Sequence, residues 1–327
     1  MKKHIYQIDL IRALCCIGII VYHFACHTNS GLSILTNTVN SNVGSIIVTV
    51  FFIVSGFVLY ENNKEIGSLK QYYLKRFKSI FPSFYLCWFI FYALNVIKVR
   101  TPFYAGNPLK LLLTLIGQDG YFSQRIVTYY TVGEWFLGAL IIVYLLYPLL
   151  LKLFNKNDKL ILIVLFVLTL CVKYFNVPVI SPGFPGIIES CLKFFIGMMF
   201  NKYFDLLNNK KLLIVSIVLF VIYSVIKINY LNVVLDLLYG VCLYIILFNL
   251  GNIVNNKPVK FISGLSYQVY LLQHMVIVYL LDFINPSNMF VSILLMLLCI
   301  VLTIVFACII KKIVKIVMNL IDSKIKV

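Results

Sequence analysis

Residues 290–310 read FVSILLMLLCIVLTIVFACII, 21 positions in a row without a charge. A helix rises about 1.5 Å per residue, so roughly 20 such residues cross the ~30 Å hydrocarbon of a bilayer. Inside lipid the backbone must satisfy its own hydrogen bonds, which a helix does alone. The same character returns in residues 161–172 and in 212–226, where Ser216, Tyr223 and Ser224 are the most polar members. Across the 327 residues 62% are hydrophobic and 12% charged, too little charge to cover a soluble surface. The fold expected is all-α, a polytopic transmembrane helical bundle forming one domain over residues 1–327.

Extending the apolar pattern in both directions gives ten expected helices, near 7–27, 44–60, 79–98, 134–154, 158–176, 186–204, 210–228, 231–250, 261–281 and 288–311. Residues 109–117 are too short to cross; they read as an interfacial or re-entrant segment that would make eleven if it deepened. The run ahead of Phe24 is interrupted by Asp9 and Arg12 and lacks a small-x-small cleavage site, so it reads as a retained first helix. The formal net charge is +17. If both termini are cytoplasmic, 20 of the 28 Lys and Arg fall in cytoplasmic segments, 6 outside and 2 within spans. That asymmetry follows the positive-inside rule and accounts for the basic charge without a nucleic-acid partner. The 9 Cys lie mostly inside apolar blocks with no CxxC pair, so they read as small buried hydrophobes and not as disulfides. No metal-ligand cluster, P-loop or Gly-x-Ser-x-Gly elbow is present in the sequence, so neither a metal nor a resident cofactor is expected.

Ionisable groups within spans are costly and therefore candidates for function. The first helix concentrates them. Asp9 and Arg12 are three apart and able to pair on one face. Arg12 and His23 are eleven apart, about 20° past three full turns, so they share a face roughly 16 Å apart along the axis. A cation at one end would hold a phosphate or carboxylate, and a histidine deeper in would transfer a proton. The plainer alternative is an anchoring ion pair plus a polar helix contact. His27 lies one turn beyond His23. Glu134, at the start of the fourth expected helix, either caps it or orients His23. On the ninth expected helix Tyr267, Tyr270 and His274 share a face at 3–4 spacing, as interhelical glue or as a substrate-facing stripe. Glu189, Lys193 and Asp236 are weaker candidates. The basic run from Lys70 to Lys78, holding Lys75 and Arg76, suits ordinary cytoplasmic charge, anionic lipid headgroups or the phosphates of a soluble donor. Residues 99–133 form the longest outside segment, expected as a lipid-anchored loop or as a wall over an outward cleft.

Taken together these landmarks resemble the acyltransferase 3 family of bacterial membrane O-acyltransferases. The resemblance rests on residues 6–13, Tyr-Gln-Ile-Asp-Leu-Ile-Arg-Ala, with Arg-x(10)-His closing at His23. It continues through Val-Phe-Phe-Ile-Val-Ser-Gly-Phe at 50–57, Arg76 through Pro82, Trp135-Phe136-Leu137 with Tyr144 to Pro148, and Ser266 to His274. It implies a ten-helix bundle in the cytoplasmic (inner) membrane. The donor would be an acyl-CoA, usually acetyl-CoA, and the acceptor a hydroxyl of a cell-surface or lipid-linked glycan. His23 falls on the family's essential histidine and Arg12 on its arginine. Arg76, with Lys75 and Lys78, takes the donor-phosphate position; Tyr267, Tyr270 and His274 would meet the acceptor, and Glu134 would assist His23. The family's Arg-x-x-Arg is half present, since Ser79 stands at its second arginine. Some relatives carry an added extracytoplasmic domain, and this chain is expected to complete transfer within its membrane domain. The competing expectation is a transporter or flippase for a lipid-linked sugar, with Arg12 and His23 lining its path.

Overall fold

The computed structural model describes residues 4–28, 32–175, 186–228, 232–254 and 256–325. Twelve helices follow in order among them: α1 Tyr6–His27, α2 Val43–Asn62, α3 Leu69–Val99, α4 Leu111–Leu115, α5 Asp119–Phe122, α6 Glu134–Tyr174, α7 Ile187–Lys202, α8 Phe204–Leu207, α9 Lys210–Val225, α10 Asn232–Leu250, α11 Lys257–Phe283 and α12 Met289–Ile325. No strand occurs among the described residues beyond one isolated bridge between Asn37 and Asn42. Short polar side chains set the helix starts. Asn42, Ser68, Asn209, Asn256 and Asn288 each accept a backbone N–H of the first turn, which water would otherwise have to satisfy.

The protein is an all-α, multi-pass membrane protein. Among the described residues six helices are long and apolar enough to cross a membrane: α1, α2, α3, α6, α11 and α12. Ten spans were expected, and the difference has physical causes. α7 and α9 have 16 residues each, and the apolar stretch of α10 is Val234–Leu250. The expected spans 134–154 and 158–176 join in α6, a helix of 41 residues. Its one non-helical residue is Asn157, at φ −163° and ψ 90°. The Asn157 side chain accepts from the Leu160 N–H at 3.0 Å, so it both breaks the first arm and caps the second. The stretch 109–117 becomes a 3₁₀ turn and the five-residue α4, far short of a crossing.

Backbone contacts divide the chain into two units, the first Met1–Asn63 with Lys193–Ile304, the second Lys64–Leu192 with Val305–Val327. In the first, α1 packs on α11, α2 and α10, and α10 also packs on α2 and α9. Its core joins Ile11, Cys15 and Ile19 of α1 to Val50, Ile53 and Phe57 of α2 and Tyr244 and Phe248 of α10. Two glycines let α2 and α7 touch through their backbones. A Cβ on Gly56 would sit 1.9 Å from the Phe194 carbonyl oxygen, and one on Gly197 would sit 2.0 Å from that of Ile53. Asp236 of α10 accepts a hydrogen bond from Ser41, fixing the segment ahead of α2.

In the second unit, tyrosines pin α3 to α6: the Tyr72 and Tyr73 hydroxyls donate to the carbonyls of Tyr144 and Leu145 at 2.8 and 3.0 Å. Residues 99–133, expected as a lipid-anchored loop or a wall over a cleft, are bonded to α3 and α6. Trp88 donates to the Tyr129 carbonyl at 2.9 Å, the Tyr129 hydroxyl to that of Gly106 at 2.9 Å, and Gln118 to that of Gly138 at 3.2 Å. Tyr121 and Tyr129 are buried.

Candidate active site

Three of the four histidines, His23, His27 and His274, meet along the seam between α1 and α11, and the fourth, His4, binds Asp9 ahead of α1. The register of that seam is set by contacts at three levels along its length. Ser263 donates to Asp9 Oδ1 at 2.7 Å, the Cys16 thiol lies 3.6 Å from the Ser266 carbonyl, and the His23 and His274 rings meet at 5.3 Å between centroids. Each pair is about 250 residues apart in sequence, so the two helices run side by side in the same direction.

Near the start of α1 a pocket of about 270 Å³ opens between α1 and the end of α2. His4, Asp9, Arg12, Glu61 and Asn62 supply its polar wall, Phe57 and Val58 part of its apolar one. The pairing expected between Asp9 and Arg12 is not made. Asp9 binds His4 at 2.5 Å and Ser263 at 2.7 Å, while Arg12 has no ion-pair partner among the described residues. The half-buried Arg12 guanidinium lines this pocket beside the carboxylates of Asp9 and Glu61. Glu61, which accepts from Asn201 at 3.0 Å, gives the opposite wall a negative edge.

Toward the other end of α1, His274 stands between two histidines, its ring 5.3 Å from that of His23 and 5.0 Å from that of His27. Tyr22 packs edge-on against His23 at 5.0 Å. His23 and His274 are half-buried and His27 is exposed. No metal-binding group forms among the described residues. Tyr270 is one turn before His274 and Tyr267 one turn earlier, both half-buried.

The remaining sequence candidates belong to the second unit. Glu134 opens α6 directly after Gly133, whose φ of +85° suits glycine. Lys75 is exposed. The Arg76 guanidinium lies 5.9 Å from the Tyr144 ring centre, with its Nε enclosed. Lys78 pairs with Asp322 of α12 at 2.6 Å. Two residues along a helix is a rotation of about 200°, so Arg76 and Lys78 leave opposite faces of α3.

Four polar residues escaped the sequence reading. His4, Ser263 and Glu61 sit at the ends of spans, where polar residues are ordinary. Asp119 sat in a segment assigned to the outside, yet it is buried with neither carboxylate oxygen hydrogen-bonded among the described residues. Burial pushes its carboxyl up to about 6, and the neighbouring Thr114 hydroxyl offsets only part of that rise.

A family model described as an acyltransferase domain matches residues 5–312. The chain belongs to the acyltransferase 3 family. No curated protein and no solved structure matches it. Membership makes the protein a membrane-embedded acyltransferase, and the acyltransferase 3 family implies an acyl-CoA-like donor in general terms. The match spans residues of both units, from Arg12 and His23 through Arg76 and Glu134 to His274.

Proposed function

We propose that this protein moves an acyl group, acetyl in the first instance, from acyl-CoA to a sugar hydroxyl of a cell-surface or lipid-linked glycan. The observation that carries the reading is the α1–α11 seam: Arg12 faces a pocket at one end, and His23 meets His274 roughly 16 Å along the same helix. Arg12 holds an anionic part of the donor. His23 accepts the proton of the acceptor hydroxyl as its oxygen attacks the thioester carbonyl. The C–S bond then breaks, and the CoA sulfur leaves as the thiol with a proton returned to it. Histidine suits this exchange because its ordinary pKa lies near neutrality. His274, with Tyr267 and Tyr270 on its face, orients the sugar. Lys75, Arg76 and Lys78 are the candidates for the donor's phosphates, and Glu134 for orienting the base.

The same proposal has ten crossings with both termini cytoplasmic, in the inner membrane. The run Asn155-Lys156-Asn157-Asp158-Lys159 at the middle of α6 supports two crossings there, because five polar residues do not rest at the centre of a bilayer. The test is transfer itself. Purified protein in lipid receives radiolabelled acetyl-CoA and membrane glycan, and both glycan label and released thiol are measured. His23→Ala is expected to lose about 10²–10⁴-fold in rate while inserting normally. Undiminished transfer by that variant would refute the assignment, and labelled glycan appearing only from another acyl donor would redirect it.

A further inference from the structure

Asp119 takes no part in the transfer chemistry, yet the second unit holds it as few carboxylates are held. It is 2% exposed, and neither of its oxygens has a hydrogen-bond partner among the described residues. A buried charge without a partner is unstable, so such a group takes up a proton or is matched by a cation. No basic side chain of residues 99–133 supplies the match. Arg100 and Arg125 are exposed, and the Lys110 ammonium donates to the Ala105 carbonyl at 3.0 Å.

The hydroxyls of the same segment are mostly engaged elsewhere. Thr128 donates to the Asp119 backbone carbonyl at 3.1 Å, and Tyr129 and Tyr92 donate to the carbonyls of Gly106 and Pro102 at 2.9 Å each. Two oxygens remain. The turn from α4 to α5, closed by the Gln118 N–H on the Leu113 carbonyl at 2.8 Å, brings Thr114 beside Asp119. The Thr114 hydroxyl acts on the Asp119 carboxyl but is too far to hydrogen-bond it. The Tyr104 hydroxyl is enclosed and equally without a hydrogen bond among the described residues. Burial raises the Tyr104 phenol to about 12, and the charge of Asp119 adds to that rise. The rings of Tyr92 and Tyr129, at 5.8 and 5.3 Å from that of Tyr104, close this side of the group.

Oxygens that are neighbours without being hydrogen-bonded are spaced as the ligands of one ion are. A hard cation holds each oxygen at about 2.3–2.6 Å, so two of them stand up to about 5 Å apart. The set contains no imidazole or thiolate, and no cluster of three or more histidine, cysteine and acidic side chains of the kind that binds heavier metals forms among the described residues. One carboxylate carries one negative charge, which a single alkali cation cancels; a divalent ion would leave net charge buried.

We propose that Asp119, Thr114 and Tyr104 form a site for a monovalent alkali cation, sodium or potassium, which ties α4 and α5 to the segment ahead of them. The ion supplies the partner that the chain withholds from Asp119 and holds the α4–α5 turn from within.

The experiment is thermal unfolding of the full chain in detergent, in sodium, potassium or choline chloride at equal ionic strength. It reads stability and not transfer, so its outcome is independent of the acyltransferase mechanism. At pH 8 either alkali salt is expected to raise the melting temperature by about 2–4 °C over choline. At pH 5, where protons compete for the carboxyl, that difference should shrink. Asp119→Asn should melt alike in all three salts. Thr114→Val, which removes one oxygen at nearly constant volume, should need several-fold more sodium for half of the effect. Equal melting of the unaltered protein in the three salts at pH 8 overturns the proposal and leaves the carboxyl to water alone. A sodium effect that survives Asp119→Asn overturns it too, as does calcium stabilising more than either alkali at the same ionic strength.

Discussion

Asp9 is the residue whose partner decides how Arg12 is presented. Three residues of spacing on one helix suggested that they pair, but spacing is local, and the carboxylate is taken by Ser263, 254 positions away, and by His4. Ser263→Ala should cost about 1.5–3 kcal/mol, the range for a hydrogen bond to a charged group. It should also free Asp9 to draw in Arg12. The expected signature is a raised KM for the donor with kcat little altered, rescued by Ser263→Thr; a fall in kcat alone would argue against this positioning role. A second prediction concerns Asp119, whose raised pKa penalises the charged form in the folded state. Stability is therefore lost as pH climbs from about 4 through 6, and is regained on acidification, by about 2–3 kcal/mol at most. Asp119→Asn should flatten the dependence of melting temperature on pH over that window and raise the melting temperature at pH 8. His23 and His274 were legible in the sequence because an imidazole inside an apolar block stands out. His4, Glu61 and Ser263 were not, because polarity at a span's end carries no such contrast.

Helices were readable from hydropathy to within a few residues at most edges, since lipid leaves the backbone little choice. What hydropathy could not supply was how closely they approach. The Ser55-Gly56-Phe57 portion of α2 gains its meaning from α7, where Gly197 stands opposite and the two backbones touch. Gly56→Ala should destabilise by about 1–3 kcal/mol or more, because the obstacle is a carbonyl and not a movable side chain; the readout is melting temperature in detergent, where the unaltered protein and Gly67→Ala, a glycine with open space around it, serve as references. Asn157 is the converse case. The apolar stretches on either side of the polar run 155–159 suggested two helices, and the structure joins them through a capped bend. Asn157→Ala should cost about 1 kcal/mol, the usual value of a lost cap.

For the molecule as a whole, the parallel course of α1 and α11 restricts topology. If both cross, an odd number of passes must separate them. Three passes satisfy this with α2, α3 and α6, and seven do so when α6 crosses twice and α7, α9 and α10 also cross. The two counts place the α9–α10 junction on opposite sides. In a background without native cysteines, the proposed seven-pass arrangement has Lys227→Cys labelled by an impermeant maleimide on intact cells and Asn208→Cys protected until the membrane is opened. Protection of both would restore the smaller count. Charge bias along the sequence favoured the larger one; the register of the seam, formed by residues some 250 apart, was beyond any local pattern.

That register has a consequence for synthesis. The ribosome finishes α1 early, with Asp9 and His23 already made, but the residues of α11 that meet them, Ser263 and His274, are translated only near position 263 and beyond. For most of translation the first helix waits with its polar groups uncovered, exposed to the quality-control proteases that survey unpaired intramembrane charge. Any product that stops before α11 lacks half of the seam, so a chain ended within about the first four-fifths of the message carries His23 without His274.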